Sequence, residues 1–194
     1  MPYQIKNFDN LLGLGGLSDQ LLKNHFTLYQ GYVANFNKLN DILVVMEKEG
    51  KYGAPEYAEL NRRFGWEYNG MRLHELYFEN LTKTSVKIGE NSELYKKISA
   101  EFGSYEFFEK DFKAMAAMRG IGWVVLYYDK QADRLFNVWI NEHDAGHFAG
   151  AIPLLVIDVF EHSYMLDYGI KRADYIEVFM KTIDWEVVNQ RINA

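Results

Sequence analysis

Apolar side chains in the first half of the chain recur with the period of an α-helix. Ser18 can cap a helix, and the pattern runs from there without a break until Gly50 and Gly53 interrupt it. The residues that recur along one face of this helix, here called its seam, are His25, Tyr29, Tyr32, Phe36, Leu39, Leu43 and Met46. The pattern therefore predicts one continuous helix that begins near Ser18 and ends before Gly50.

A second helix is predicted from Pro55, because proline suits the first turn of a helix. Its seam consists of Tyr57, Leu60, Phe64, Tyr68, Met71, His74, Phe78 and Leu81. Since the connection between the helices is short, we expect them to lie antiparallel, with His25 and His74 pointing inward. Gly65 and Gly70 each cost up to about 1 kcal/mol relative to alanine, which close approach of a neighbouring segment would justify.

The pattern changes in the second half of the chain. Residues 82–90 are polar and predict a linker. Helical spacing returns in two stretches, at about 92–100 and 104–118. Three apolar runs are typical of strands, and a turn joins the first two: 123–128, 135–140 and 154–158. Helices are expected again from there through about Asn189.

Together these elements predict an α+β fold. Residues 1–84 would form an N-terminal antiparallel helical hairpin. Residues 85–194 would form a C-terminal domain in which helices flank a small three-stranded antiparallel sheet. A chain of 194 residues suits one compact domain or two small ones that share an interface.

Composition narrows the functional classes. The net charge of −6 argues against broad nucleic-acid binding, which needs a basic face. The absence of cysteine excludes disulfides, thiolate nucleophiles and thiolate metal sites. No apolar run is long enough to span a bilayer, and the first residues lack the apolar core of a signal peptide. We therefore expect a cytoplasmic protein that binds neither nucleic acid nor membranes.

Two groups of residues could carry chemistry. A single histidine on a helical seam is usually an ordinary buried histidine, but His25 and His74 would face each other, as histidines do in bundle metal sites. Asp158 ends an apolar run, where a carboxylate is costly unless it is paired or coordinated. His162 follows four residues later and could share a centre with it. An ion pair between Asp158 and His162 would explain the second group equally well.

The order of these motifs resembles the iron/manganese superoxide dismutase family from about Leu17 to Trp185. The segment from Asp158 to Tyr164 is close to the D-x-W-E-H-A-Y signature of that family. Further matching landmarks are Tyr32-Val33-Ala34-Asn35, His74-Glu75-Leu76-Tyr77-Phe78, Phe102-Gly103-Ser104, Gly120-Ile121-Gly122-Trp123, Arg172-Ala173-Asp174-Tyr175-Ile176 and Asp184-Trp185. Each motif alone is modest, whereas their joint order and spacing are highly specific.

The resemblance implies a superoxide dismutase, which converts superoxide to dioxygen and hydrogen peroxide at one metal ion per subunit. Iron is the favoured ion and manganese follows closely. The ligands implied by position are His25, His74, Asp158 and His162. Tyr32 corresponds to the tyrosine at the family's substrate channel. The resemblance also implies a homodimer, in which Glu161 of one subunit contacts the metal-ligand histidine, His162, of the other.

The first ligand is open to a second interpretation. The family has eight residues from this ligand to the channel tyrosine, whereas His25 and Tyr32 are seven apart. An ungapped match would place Asn24 at the ligand position. We prefer His25 because the preceding residues align in its register and imidazole is the better ligand. Local over- or underwinding of the helix would absorb the difference.

The family's solvent-binding glutamine is also missing. Gly70 occupies one of its two possible positions, and Glu142 or His143 the other. We prefer His143 as the residue that contacts metal-bound solvent, with Glu142 as the ungapped alternative. A separate zinc site at His143 and His147 is disfavoured, because nothing supplies a second pair of ligands.

Two other functions stay open. The missing glutamine would suit a catalytically weak, metal-binding structural homodimer of the same fold. A non-haem iron oxygenase would use two histidines and one carboxylate with open positions, so a third histidine disfavours it.

Lys171 and Arg172 could supply a positive field that steers superoxide, or they could form a solvated face.

Overall fold

The computed structural model describes residues 1–193 and begins with a long helical hairpin. Helix α1 (Asp19–Lys48) starts where the Ser18 hydroxyl accepts a hydrogen bond from the Leu21 amide. Helix α2 (Pro55–Glu79) has proline in its first turn. Gly50 adopts a φ of 70° in the connection, which favours glycine. The predicted hairpin and both of its helix starts are confirmed.

The seam between α1 and α2 is most deeply buried at the end of the hairpin that meets the rest of the protein. Tyr29, Met71 and Phe78 are buried there, whereas Tyr68, nearer the loop, is 37% exposed. At the deeply buried end, α2 also packs against β3 and α1 against the turn that follows β3. The N-terminal segment adds cover along one side, since the Tyr3 ring packs edge-on against Phe36 at 5.1 Å.

The second half builds a sheet with helices around it. Helices α3 (Glu93–Phe102) and α4 (Tyr105–Ala116) precede the strands. The strands are β1 (Gly122–Asp129), β2 (Arg134–Asn141) and β3 (Ile152–Asp158). The chain closes with α5 (Met165–Tyr168), α6 (Arg172–Lys181) and α7 (Trp185–Gln190). Within residues 1–193, no helix combines the length and apolar character needed to cross a membrane.

The sheet is antiparallel in the order β2-β1-β3, as predicted. The central strand, β1, is buried over almost its whole length because neighbours flank it on both edges. Its register with β3 places Trp123 directly opposite Asp158. Strand β3 also packs against α2, where the Asn80 side chain donates to the Val156 carbonyl at 2.6 Å. The end of β3 that carries Asp158 is thereby brought to the histidine-bearing helices.

Candidate metal centre

Four side chains from both halves of the chain converge at one buried point. They come from α1, α2, the end of β3 and the short 3₁₀ turn that follows it: His25, His74, Asp158 and His162. Their candidate ligand atoms all lie within 4.8 Å of one another. Asp158 Oδ2 is 3.1 Å from His25 Nε2, 3.2 Å from His162 Nε2 and 3.7 Å from His74 Nε2. All three rings therefore present the same nitrogen to one carboxylate oxygen.

His25, and not Asn24, lies in this cluster. The His25 side chain is fully buried, whereas Asn24 is exposed and accepts a hydrogen bond from Gln20 at 2.9 Å. Helix α1 is α-helical throughout, so the expected local over- or underwinding is absent. Seven residues complete nearly two turns of an α-helix. His25 and Tyr32 consequently share a face of α1 without any distortion.

Groups outside the cluster hold Asp158 in place independently of the histidines. Its Oδ1 accepts from the Phe160 amide at 2.8 Å, which leaves Oδ2 to face the rings. Its main-chain carbonyl accepts from Tyr175 Oη at 2.8 Å and from Ser163 Oγ at 3.1 Å. The carboxylate is therefore oriented by groups outside the cluster, as metal ligands commonly are.

The charge states of the cluster suit a cation. Burial lowers the pKa of His25, and it lowers the pKa of His74 well below the ordinary value, so both rings are neutral. Burial alone would raise the pKa of Asp158, but the charge of His162 and hydrogen bonds from His162 and His25 hold it below the usual range. Burial lowers the pKa of His162, but the charge of Asp158 and the hydrogen bond to it raise that pKa above the ordinary value. Metal ions bind neutral imidazoles and ionised carboxylates, so an ion at the cluster would take the place of the His162 proton.

An unpaired nitrogen in the cluster provides a direct test of whether a cation fits. His74 Nδ1 donates to the Gly70 carbonyl at 2.6 Å, so Nε2 carries a lone pair. That nitrogen is buried and has no hydrogen-bond partner within residues 1–193. Buried polar atoms are rarely left unsatisfied, and a metal ion between the four side chains would satisfy this one. The donor set fits such an ion.

A second set of hydrogen bonds stands beside the cluster. Trp123 Nε1 donates to His143 Nδ1 at 3.0 Å, so the ring proton of neutral His143 is on Nε2. His143 Nε2 lies 2.7 Å from Tyr32 Oη and donates to it. Burial lowers the pKa of His143 to about 4 and raises the pKa of Tyr32. The indole thus selects the tautomer, and the Tyr32 hydroxyl proton stays free to donate elsewhere.

His143 and Glu142 point in opposite directions. His143 is fully buried, whereas Glu142 is exposed in a turn and has a φ of 49°. His147 holds the same turn: its Nδ1 accepts from Tyr127 Oη and its Nε2 donates to the His143 carbonyl, both at 2.9 Å. Both histidines are therefore occupied by protein partners, and residues 1–193 contain no metal-ligand cluster besides the one around Asp158.

Gly70 allows Tyr32 to pack against α2. A methyl group at Gly70 would lie 2.6 Å from Cδ1 of the Tyr32 ring, which is closer than two carbon atoms can approach. The predicted close approach is thus confirmed for Gly70. It is wrong for Gly65, where an added methyl group would meet no atom within 4 Å.

Gly70→Ala should displace Tyr32 and lower the superoxide-consuming activity that the resemblance implies by about 10-fold or more, because small misplacements of active groups are costly. The matched control is Gly65→Ala, which should keep full activity and raise stability by about 0.5–1 kcal/mol, since glycine weakens helices. Activity assays and thermal unfolding of both variants measure these effects. Equal activity in the two variants would contradict this function for Gly70.

Arg172 forms hydrogen bonds to the segment that follows α4. Its guanidinium donates to the carbonyls of Met118 at 3.0 Å and Gly120 at 3.1 Å, just beyond α4. Lys171 is exposed. These contacts give Arg172 a structural function, and steering of an anion by Lys171 and Arg172 stays a prediction.

The helical hairpin and the α+β half together contribute three histidines and one aspartate to one cluster. This fold and this cluster define a class of proteins that bind a single metal ion. Residues 90–191 match the family model described as iron/manganese superoxide dismutases, C-terminal domain. The chain is 39% identical to the iron superoxide dismutase of Aquifex pyrophilus over 92% of this chain and 85% of that protein. The chain belongs to the iron/manganese superoxide dismutase family.

Other relatives carry names for both metals. The iron superoxide dismutase of Cupriavidus metallidurans is 36% identical over 93% of this chain and 91% of its own length. The manganese superoxide dismutase 2 of Haloferax volcanii is 35% identical over 88% of this chain and 84% of its own length. Similarity to these proteins therefore does not select the metal.

Proposed function

We propose that this protein is a superoxide dismutase. Overall, two superoxide ions and two protons become one dioxygen and one hydrogen peroxide. The observation that carries the proposal is the arrangement of three imidazole Nε2 atoms around Asp158 Oδ2, with the Tyr32–His143 pair beside it. Catalysis of this kind needs both a redox centre and a proton source, and the two sets of residues supply a place for each.

The residues that would hold the ion are His25, His74, Asp158 and His162. When bound, iron or manganese supplies one-electron exchange between its trivalent and divalent states. We propose iron, with manganese as the alternative, because histidine at position 143 replaces the usual glutamine. The chain's own contribution is a site kept largely dry, since His25, His74 and Asp158 are each fully buried.

Tyr32 is proposed to deliver protons. The second superoxide must gain two protons to leave as peroxide. Because the Tyr32 oxygen accepts its hydrogen bond from His143, its own hydroxyl proton can be donated into the site. The Tyr32 side chain is half-buried while His143 is enclosed, so Tyr32 also links the site to solvent. His143 is proposed to orient Tyr32 and any solvent bound next to the cluster.

The function can be tested on metal-loaded protein. A preparation that contains about one iron or manganese ion per chain should consume superoxide catalytically and release dioxygen and peroxide. Separate loading with each metal, followed by elemental analysis, would identify the active form. A fully loaded protein that removes superoxide no faster than buffer would exclude the proposed enzyme. It would favour the alternative of a structural metal-binding homodimer.

His143→Ala should lower the superoxide-consuming rate by about 10–100-fold, the usual cost of losing a group that supports a metal site. Metal content should stay unchanged, because His143 is not in the ligand cluster. His143→Gln is the matched control, since an amide can still accept from Trp123 and donate to Tyr32. Equal rates in wild type and His143→Ala would contradict the proposed function of this residue.

We also propose that the protein is a homodimer through Glu161 and His162. Of the four clustered side chains, only His162 reaches the surface, with 26% of its side chain exposed. Glu161 precedes it and is exposed as well. A two-fold axis would allow Glu161 of each subunit to meet His162 of the partner subunit, so that each site is closed by the other chain.

Glu161→Ala should weaken this dimer, so that the variant sediments as a monomer at concentrations where the wild type is dimeric. The reason is that each two-fold interface loses both of its Glu161 contacts at once. Glu90→Ala, which removes an exposed carboxylate elsewhere, is the control and should leave the sedimentation coefficient unchanged. A monomeric wild type, or an equally dimeric Glu161→Ala variant, would overturn the proposed interface.

A further inference from the structure

An ion pair on α2, with one buried and one exposed partner, has no part in the function described so far. Arg63 Nε donates to Glu67 Oε1 at 2.8 Å. The Glu67 side chain is only 3% exposed, whereas that of Arg63 is 49% exposed. Glu67 Oε2 is buried without a hydrogen-bond partner among residues 1–193. Such an arrangement costs desolvation energy that a single hydrogen bond recovers only in part, so a purely structural function explains it poorly.

The pair is joined to the candidate active site through one aromatic ring. The Arg63 guanidinium lies 3.7 Å above the ring centre of Trp66. Trp66 in turn meets His143 edge-on, with ring centres 4.4 Å apart, and its ring centre is 5.7 Å from that of Tyr32. Arg63 is exposed and Trp66 is half-buried. A positive charge therefore stands at the surface, one ring away from the Tyr32–His143 pair.

Both charges of the pair act on that site, in opposite directions. Burial is the main reason that the pKa of Tyr32 is raised; the negative charges of Asp158 and Glu67 raise it further, and Arg63 lowers it. Burial is also the main reason that the pKa of His143 is lowered; Asp158 opposes this, and His162 and Arg63 lower the pKa further. Without Arg63, the site would face the uncompensated negative charge of Glu67.

We propose, on the basis of the proposed function, that the Arg63–Glu67 pair sets the attraction of the anionic substrate towards Tyr32 and His143. Superoxide is negatively charged and the whole chain carries −6, so approach needs a local positive charge. Arg63 supplies this charge at the surface, and Glu67 partly cancels it from beneath. Arg63 is thus a steering residue, and Glu67 is the residue that positions and moderates it.

Four proteins test the proposal through the second-order rate of superoxide consumption at low ionic strength. Arg63→Met should lower this rate by about two- to fivefold, the scale for one charge near a partly solvated path. Glu67→Gln should raise it by a similar factor, because Arg63 is no longer neutralised. The double variant Arg63→Met/Glu67→Gln should return close to the wild type. All differences should shrink at high salt, where charges are screened.

Arg62→Met is the matched control, because it removes the same charge from the neighbouring position. Arg62 pairs with Glu59, and both side chains are at least 70% exposed. The variant has the same net charge as Arg63→Met, so it separates a local field from a global one. Its rate should equal that of the wild type.

A second readout does not depend on a loaded metal site. Quenching of tryptophan fluorescence by iodide, a monovalent anion, should weaken in Arg63→Met because the anion is no longer drawn towards Trp66. Quenching by neutral acrylamide should stay the same in both proteins. Trp66→Phe introduced into both the wild type and Arg63→Met should remove the iodide difference between them and so assign it to this ring.

The results separate this proposal from the proposed function. A catalytic wild type with equal rates in Arg63→Met and Arg62→Met, both folded by circular dichroism, would overturn the steering proposal and leave the enzyme intact. If Arg63→Met does not fold, an unchanged rate in Glu67→Gln would overturn it equally. A wild type without catalysis would defeat the proposed function, while the iodide comparison would still report on the field at Trp66.

Discussion

Replacing His25 by alanine should leave a folded protein that holds little metal and consumes superoxide at least about 100-fold more slowly. Loss of a group that merely supports a ligand already costs about 10–100-fold in metal affinity or activity, and His25 faces the cluster directly at 3.1 Å from Asp158 Oδ2. Elemental analysis after equilibration with iron or manganese, together with an activity assay on the same sample, measures both effects.

Asn24→Ala provides the control for this experiment. Asn24 is the ligand that an ungapped match to the family would select, but its side chain lies on the exposed face of α1. The variant should bind metal and consume superoxide like the wild type. Loss of metal from Asn24→Ala, with retention in His25→Ala, would mean that the first helix is assigned in the wrong register.

The helices and strands could be predicted because they follow from local rules. The seam of α1 repeats with the helical period, Ser18 provides a cap and Pro55 a first-turn residue, so both helix starts were found within a residue. The third strand begins at Ile152, two residues before the predicted run. Apolar periodicity also placed His25 and His74 on the inner faces of the hairpin, where both are fully buried.

The hydrogen-bond partner of His143 could not be predicted in the same way. Trp123 was recognised only as a family landmark, and its function depends on the register of β1 against β3 and on the turn that carries His143. Neither feature leaves a periodic signal in the sequence. A tryptophan at the start of a buried strand, paired with the aspartate of a candidate site, is the combination that could have indicated it.

The Arg63–Glu67 pair was missed for a related reason. Arginine and glutamate four residues apart on a helix usually form a solvated surface pair, and the sequence does not distinguish that case from this one. The Glu67 side chain is only 3% exposed, and its partner Arg63 lies over the Trp66 ring. Tertiary packing, which no local pattern encodes, turns an ordinary helical pair into a feature of the site.

The two halves of the chain depend on each other at the site. His25 and His74 come from the hairpin, while Asp158 and His162 follow β3. The geometry of the cluster therefore requires that the hairpin and the sheet keep a fixed position relative to each other. Ion binding will stabilise this arrangement, because a ligand that binds only the folded state stabilises that state.

Arg191 is one of the side chains that join these halves. It is 12% exposed and donates to the carbonyls of Leu154 at 2.5 Å and Leu76 at 3.1 Å. It also donates to the side chains of Asn80 at 2.6 Å and Glu79 at 3.2 Å. One guanidinium thus satisfies acceptors on β3 and at the end of α2.

Arg191→Met should lower the free energy of unfolding by about 3–5 kcal/mol, the usual cost of removing one partner from a buried charged network. For a chain of this size that corresponds to a fall in Tm of roughly 6–20 °C, measured by thermal unfolding of the metal-free protein. Arg62→Met, whose exposed ion pair contributes about 0–1 kcal/mol, is the control. If the two variants unfolded at the same temperature, Arg191 would not contribute measurably to holding the hairpin and the sheet together. The apolar contacts between α2 and β3 would then provide that stability.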